Sequence, residues 1–129
     1  MFMKKLTPVV VVEAIEPVLP FWVDRLGFTK VAEVPEGDKI GFVILVKDGV
    51  ELMYQTLESV AKDEAQALPP AGSRPHAALF IEVDDFDAVS SALKGADIIV
   101  EKRTTFYGST EIIVRDPAGN VVLFAKMGS

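Results

Sequence analysis

Val114-Arg115-Asp116-Pro117-Ala118-Gly119-Asn120-Val121-Val122-Leu123-Phe124 is the stretch that decides the fold. An apolar strand runs into Asp-Pro-x-Gly-Asn, and a second apolar strand follows at once. Pro117 presets one turn dihedral, Gly119 can take positive φ, and Asp116 and Asn120 can bond back to the turn backbone. Alone, the stretch is a well-formed hairpin. A second landmark far upstream, Phe21-Trp22-Val23-Asp24-Arg25-Leu26-Gly27-Phe28, reads as a helix end: apolar residues at helical spacing, closed by a glycine suited to the C′ position.

Working outward from these two landmarks, Leu6 to Glu13 is a dense β-branched run and reads as a buried strand. Glu16-Pro17 opens the first helix, where a proline's missing N–H costs little. Ile15, Val18, Leu19, Trp22 and Leu26 form its apolar stripe, and Trp22 is expected inside the core. Strands follow at Phe28 to Val34, Ile40 to Val46 and Val50 to Thr56, with Lys47-Asp48-Gly49 as a hairpin turn. Glu58 to Leu68 is mixed and suits a helix, and Pro69-Pro70-Ala71-Gly72-Ser73 reads as a linker. Then the order repeats: a strand from His76 to Val83, a helix after Asp84-Asp85 that ends at Gly95, and strands at Ile98 to Lys102, Thr110 to Arg115 and Val121 to Lys126.

The halves superpose as sequences. Val12, Ile15, Val18 and Trp22 match Val83, Phe86, Val89 and Leu93 at a constant offset of 71, which defines an internal β-α-β-β-β repeat. The Asp-Pro-x-Gly-Asn turn and the Phe-Trp…Leu-Gly-Phe helix end together resemble the glyoxalase/bleomycin resistance/dioxygenase (vicinal oxygen chelate) superfamily, over essentially the whole chain. The resemblance implies an α+β fold of two tandem βαβββ modules with curved mixed sheets enclosing a cleft. Module 1 would span about 5–56, the linker about 57–75 and module 2 about 76–127, within one domain of 129 residues. It also implies a homodimer, sometimes formed by exchange of modules.

In this superfamily each helix lies on the convex side of its sheet, so strand alternation sorts residues by face. Val10, Val12, Leu52, Tyr54, Leu79, Ile81, Val83, Val122 and Phe124 should meet the helices. Thr7, Val9, Val11, Glu51, Met53, Gln55, His76, Ala78, Phe80, Glu82, Val121, Leu123 and Ala125 should face inward. A one-residue slip in any strand would invert its list.

Metal-using members of the superfamily carry His, Gln or Glu at four inward positions. Counted from the landmarks, these are Thr7, Glu51, Ala78 and Leu123 here, so three of the four cannot hold a divalent cation well. His76, the one histidine, lies two residues from Ala78 and reads as a polar residue at the pocket rim before it reads as a displaced ligand. No metal and no other cofactor is expected. Glu51 then needs another role: pairing with a cationic or hydroxyl-bearing ligand, an internal pair with Arg103 or Arg115, or exposure in a wide cleft.

What remains is an apolar cavity with a few polar points, the usual form of a small-molecule site. The candidate ligand-binding residues are Thr7, Val9, Glu51, Met53, Gln55, His76, Ala78, Phe80, Phe106, Tyr107 and Leu123, with Phe106 and Tyr107 in a loop placed to stack on a planar ligand. The departures from the metal pattern are closest in type to metal-free bleomycin-resistance-like members, although those trap large cationic glycopeptides in an acidic cleft. The alternative is a divergent metal-dependent lyase, isomerase or dioxygenase using Glu51 and His76; a third reading is a module whose apolar cleft docks another chain. A net charge of −6 argues against nucleic acid as partner. The absence of cysteine removes disulfides and thiol chemistry. The apolar run Val9 to Val12 is far short of a membrane span and the N-terminus lacks a signal-peptide core, so a cytoplasmic location is expected.

Overall fold

In a computed structural model of the chain, the described residues are 1–73 and 76–128. Positions 74 and 75, at the end of the expected linker, and 129 lie outside them. The turn at Asp116 is built as its sequence requires. Asp116 Oδ1 accepts the N–H groups of Ala118 (3.0 Å) and Asn120 (2.8 Å), and the Asp116 N–H donates to the Asn120 carbonyl at 2.8 Å. Gly119 takes φ 91°, a conformation that side chains rarely adopt. Asn120 Oδ1 also accepts the Ala77 N–H at 2.6 Å, so the turn holds the start of a neighbouring strand. Both oxygens replace water for buried backbone donors. Asn120→Ala is therefore expected to cost about 1–3 kcal/mol, the penalty for stranding a donor, read as a shift in the urea midpoint at unchanged m-value.

Two four-stranded sheets follow from the strand order. The first contains β1 (Val9–Val12), β2 (Thr29–Glu36), β3 (Lys39–Lys47) and β4 (Val50–Thr56), in the order β1-β4-β3-β2. The second contains β5 (Ala78–Glu82), β6 (Asp97–Thr104), β7 (Thr110–Arg115) and β8 (Val121–Lys126), in the order β5-β8-β7-β6. In each, the outer β1 or β5 pairs in parallel with the module's last strand and the other pairings are antiparallel. These are two βαβββ modules, as the sequence implied. The first strand is shorter than expected, because Leu6 to Pro8 precede the ladder.

The helical elements differ in one respect. The 3.6-residue stripe predicts a single helix from Glu16 to Gly27, but the segment forms a short 3₁₀ turn (Glu16–Val18) and a π-helix (Pro20–Arg25). Pro17 and Pro20 have no N–H to give, so an uninterrupted α ladder cannot run through them. Phe21 becomes buried beside Trp22, while Leu19 and Leu26 are only partly covered. The mixed segment after β4 is helical: α1 (Leu57–Glu64) starts on Thr56, whose Oγ1 accepts the Ser59 N–H at 3.1 Å. α2 (Phe86–Ala92) starts on Asp85, whose Oδ1 accepts the Ala88 N–H at 3.1 Å. Arg25 donates to the Ala92 and Lys94 carbonyls and so satisfies the open end of α2.

By contacts the chain divides into residues 1–16 with 27–75 and residues 17–26 with 76–129. In the first unit Val10, Val12, Val43, Leu45, Leu52 and Tyr54 are buried; in the second Phe21, Trp22, Phe86, Leu93, Ile112, Val114, Val122 and Phe124 are. In β1, β3, β4, β7 and β8 the listed residues stand two apart, which is the alternation of a sheet with one face in the core. No helix among the described residues is long and apolar enough to cross a membrane.

Candidate functional site

The opposite face of each sheet carries the candidate site. In the first unit, β1 and β4 run parallel with Val9 beside Met53 and Val11 beside Gln55. Val9 is 47% exposed, and Val11, Met53 and Gln55 are half-buried. Thr7 precedes the ladder, and its hydroxyl donates to Glu51 Oε1 at 3.3 Å. Lys5 Nζ lies 3.1 Å from Glu51 Oε2. Of the roles open to Glu51, an internal pair is formed, with Lys5 rather than with Arg103 or Arg115. Gln55 is also engaged, donating to Ser59 Oγ at 3.1 Å.

In the second unit, Ala78 sits beside Val121 and Phe80 beside Leu123. Phe80 is 52% exposed, Ala78 is exposed and Leu123 is half-buried. His76 lies exposed ahead of β5 rather than within it. Phe106 and Tyr107 occupy the β6–β7 loop as an edge-on pair, with ring centroids 5.1 Å apart. Phe106 is fully exposed and Tyr107 is 48% exposed, so neither fills the core.

Glu51 and Leu123 do not occupy equivalent places in their two sheets. Counting by landmarks pairs Glu51 with Leu123 as equivalent metal positions. The strand partner of Leu123 is Phe80, two residues beyond Ala78; the matching residue in the first unit is Met53, the partner of Val9, two residues beyond Thr7. Glu51 instead matches Val121, one pair of residues away along the strand. The hairpins explain the slip: β3 and β4 are joined by Asp48 and Gly49 alone, while β7 and β8 are joined by five residues, 116–120. By register, the residues that occupy matching places in the two sheets are Val9 and Met53 in one unit and Phe80 and Leu123 in the other, with Thr7 and Ala78 two residues before Val9 and Phe80. Of the four positions expected to hold a metal, Thr7, Ala78 and Leu123 offer a hydroxyl and two hydrocarbon side chains, which do not fit a hard or borderline divalent cation.

One group was missed in the sequence. Glu111 on β7 is fully buried. It pairs across the strands with Ala125 and with Arg103, and Ile113 pairs with Leu123, so Glu111 shares the inward face. Its Oε1 accepts from Arg103 Nε at 2.9 Å and lies 2.7 Å from Nη2; its Oε2 accepts from the Tyr107 hydroxyl at 2.7 Å and the Ser109 hydroxyl at 2.8 Å. The Tyr107 hydrogen bond, with those of Arg103 and Ser109, holds this carboxyl below its ordinary value despite the opposing effect of burial. Three hydrogen bonds and the Arg103 ion pair thus engage both carboxylate oxygens.

The family model for the Glyoxalase/Bleomycin resistance protein/Dioxygenase superfamily matches residues 6–124. The chain belongs to this superfamily. Solved structures share its fold. TioX from Micromonospora sp. ML1 superposes with a TM-score of 0.78 at 19% identity, covering 97% of this chain and 99% of that one. A lactoylglutathione lyase from Agrobacterium tumefaciens gives 0.73 at 20% identity, covering 95% and 92%. A bleomycin resistance determinant encoded on transposon Tn5 gives 0.68 at 19%, covering 96% and 98%. No curated protein sequence is a significant match. At these identities the structural likeness speaks of the superfamily's fold. The chemistry has to be argued from the residues of this member.

Proposed function

We propose that this superfamily member is a metal-free small-molecule-binding protein, holding an apolar or aromatic ligand against the inward faces of its sheets and acting as a homodimer. The observation that supports the reading is the chemistry at the four positions expected to hold a metal in metal-using members: Thr7, Ala78 and Leu123 offer no suitable donor, and the same faces keep apolar side chains as open as Val9 and Phe80. Half-exposed apolar side chains on a sheet face suit a ligand or a second copy. The named neighbours include both a resistance determinant and a lyase, so the choice between binding and catalysis rests on this donor chemistry. Glu51, the mainstay of the metal-dependent alternative, has Lys5 and Thr7 as partners.

A panel of naphthalene- and phenyl-based compounds tested by thermal shift addresses the binding claim. A ligand at 100 times its Kd should stabilise the wild type by about 2.7 kcal/mol, and Leu123→Glu should remove the response with its far-UV circular dichroism retained. A panel without any response from wild type, or a response that Leu123→Glu leaves intact, would count against the site. Sedimentation showing a monomer at all concentrations would refute the dimer.

A further inference from the structure

In the second unit a fully buried glutamate holds both an arginine and a tyrosine. Burying a carboxylate is costly unless each acceptor position is satisfied. Glu111 is satisfied by the Arg103 Nε–H, with Nη2 of the same guanidinium in ion-pair contact, and by the hydroxyls of Tyr107 and Ser109. The effect on its partners is geometric. Arg103 is gripped along its Nε–Nη2 edge, and no other partner for its guanidinium occurs among the described residues. Of the five guanidinium donors, those on the Nη1–Nη2 end are left over. The Arg103 side chain is 45% exposed, so that end is open to an incoming group.

Tyr107 is fixed in the same way, and its loop is not loose. Thr105 N–H donates to the Ser109 carbonyl and Gly108 N–H to the Thr105 carbonyl, each at 3.0 Å. The Thr105 and Ser109 hydroxyls are 2.7 Å apart, and Gly108 supplies φ 86° for the tight return. The loop therefore presents the Phe106–Tyr107 ring pair at a set angle, with Tyr107 held on the same carboxylate as Arg103. A flat aromatic face beside an ordered guanidinium fork is a two-point receptor: the ring stacks, and the fork takes two oxygens in one plane. In the first unit, by contrast, the inward carboxylate Glu51 already has Lys5 as its ion-pair partner, which weakens the case for a cationic ligand.

We propose that Arg103 and Tyr107, held by Glu111, recognise an aromatic carboxylate, with the ring against Tyr107 and the carboxylate on the free end of Arg103. This rests on the ligand-binding reading above and assigns the ligand's charge and shape. Arg103 and Tyr107 would touch the ligand; Glu111 and Ser109 would act as positioning residues.

Three probes of matched shape test it by isothermal titration: 2-naphthoate, the neutral 2-naphthamide and the cationic 2-naphthylmethylammonium. Wild type should bind 2-naphthoate at least about tenfold more tightly than either of the others, the equivalent of one charge-assisted hydrogen bond. Arg103→Lys keeps the positive charge beside Glu111 and so preserves the fold, but it loses the planar fork; the preference should fall to within about threefold. Tyr107→Phe keeps the ring and Arg103, so it should retain the preference for 2-naphthoate that Arg103→Lys loses. Equal binding of the three probes by wild type, or a preference that survives in Arg103→Lys, would overturn this inference while leaving the ligand site standing. Failure of every probe to bind would remove the ligand site and this inference together.

Discussion

Trp22→Ala is expected to destabilise the protein by about 3–5 kcal/mol, the range for removing a fully buried tryptophan. Trp22 has no exposed surface and meets Phe21 edge-on, with ring centroids 5.1 Å apart. The element that carries it has little stability of its own: six residues in π geometry, preceded by a three-residue 3₁₀ turn and interrupted by Pro17 and Pro20. Side-chain burial, not the backbone ladder, holds this segment in place. The unfolding midpoint should fall by more than about 10 °C. Phe106→Ala is the control, since that ring is fully exposed and its loss should change stability by no more than about 0.5 kcal/mol. Similar losses in the two variants would show that the segment is held by something other than its aromatic side chains.

The second large effect concerns Arg103→Met, which takes away the two nitrogens that meet Glu111 Oε1 and leaves a buried carboxylate with two of its partners. Breaking a fully buried pair costs about 3–5 kcal/mol; because the guanidinium side is partly open to water, about 2–3 kcal/mol is expected here. The same cluster sets a pH dependence. Hydrogen bonds from Tyr107, Arg103 and Ser109 lower the folded-state pKa of Glu111 from 4.5. A carboxyl lowered on folding contributes stability that is fully present above its unfolded value and is lost as pH falls through the folded value. The stability gap between wild type and Glu111→Gln should therefore be widest near neutrality and close progressively below pH 4.5. Urea unfolding of both proteins, from neutral down to about pH 3, reads this directly. A gap that is constant over the whole range would mean that the charge of Glu111 contributes nothing.

The fold was legible because its determinants are local. Asp116, Gly119 and Asn120 specify a turn by their own hydrogen bonds and dihedrals. The alternation of Leu52 and Tyr54 with Met53 and Gln55 marks a sheet with one face in the core. The first helix was placed correctly but given the wrong geometry, since apolar spacing does not reveal which carbonyls lose their donors to Pro17 and Pro20. The site was less legible because it depends on pairing. Glu51 and Leu123 look equivalent when counted from landmarks; the strand register, offset by hairpins of unequal length, gives Met53 the place in its sheet that Leu123 has in the other.

Glu111 was overlooked for a related reason. Between Thr110 and Ile112 it reads as an ordinary solvent-facing strand residue. Its parity with Ile113, on the inward face, was the available signal. Arg103, Tyr107 and Ser109, all within the same hairpin, could have completed it. Phe106 and Tyr107 were picked as aromatic loop residues, without the carboxylate that positions Tyr107.

The central claim is ligand binding without a metal, and 2-naphthoate titration before and after exhaustive chelation tests it most directly. Metal content of the purified protein should be far below one equivalent. The Kd should stay within about twofold after chelation and after addition of Fe(II), Mn(II), Ni(II) or Zn(II), a change of less than about 0.5 kcal/mol. Binding that disappears on chelation and returns with one stoichiometric metal would contradict the account, and loss of that metal in Glu51→Ala would restore the metal-dependent enzyme reading.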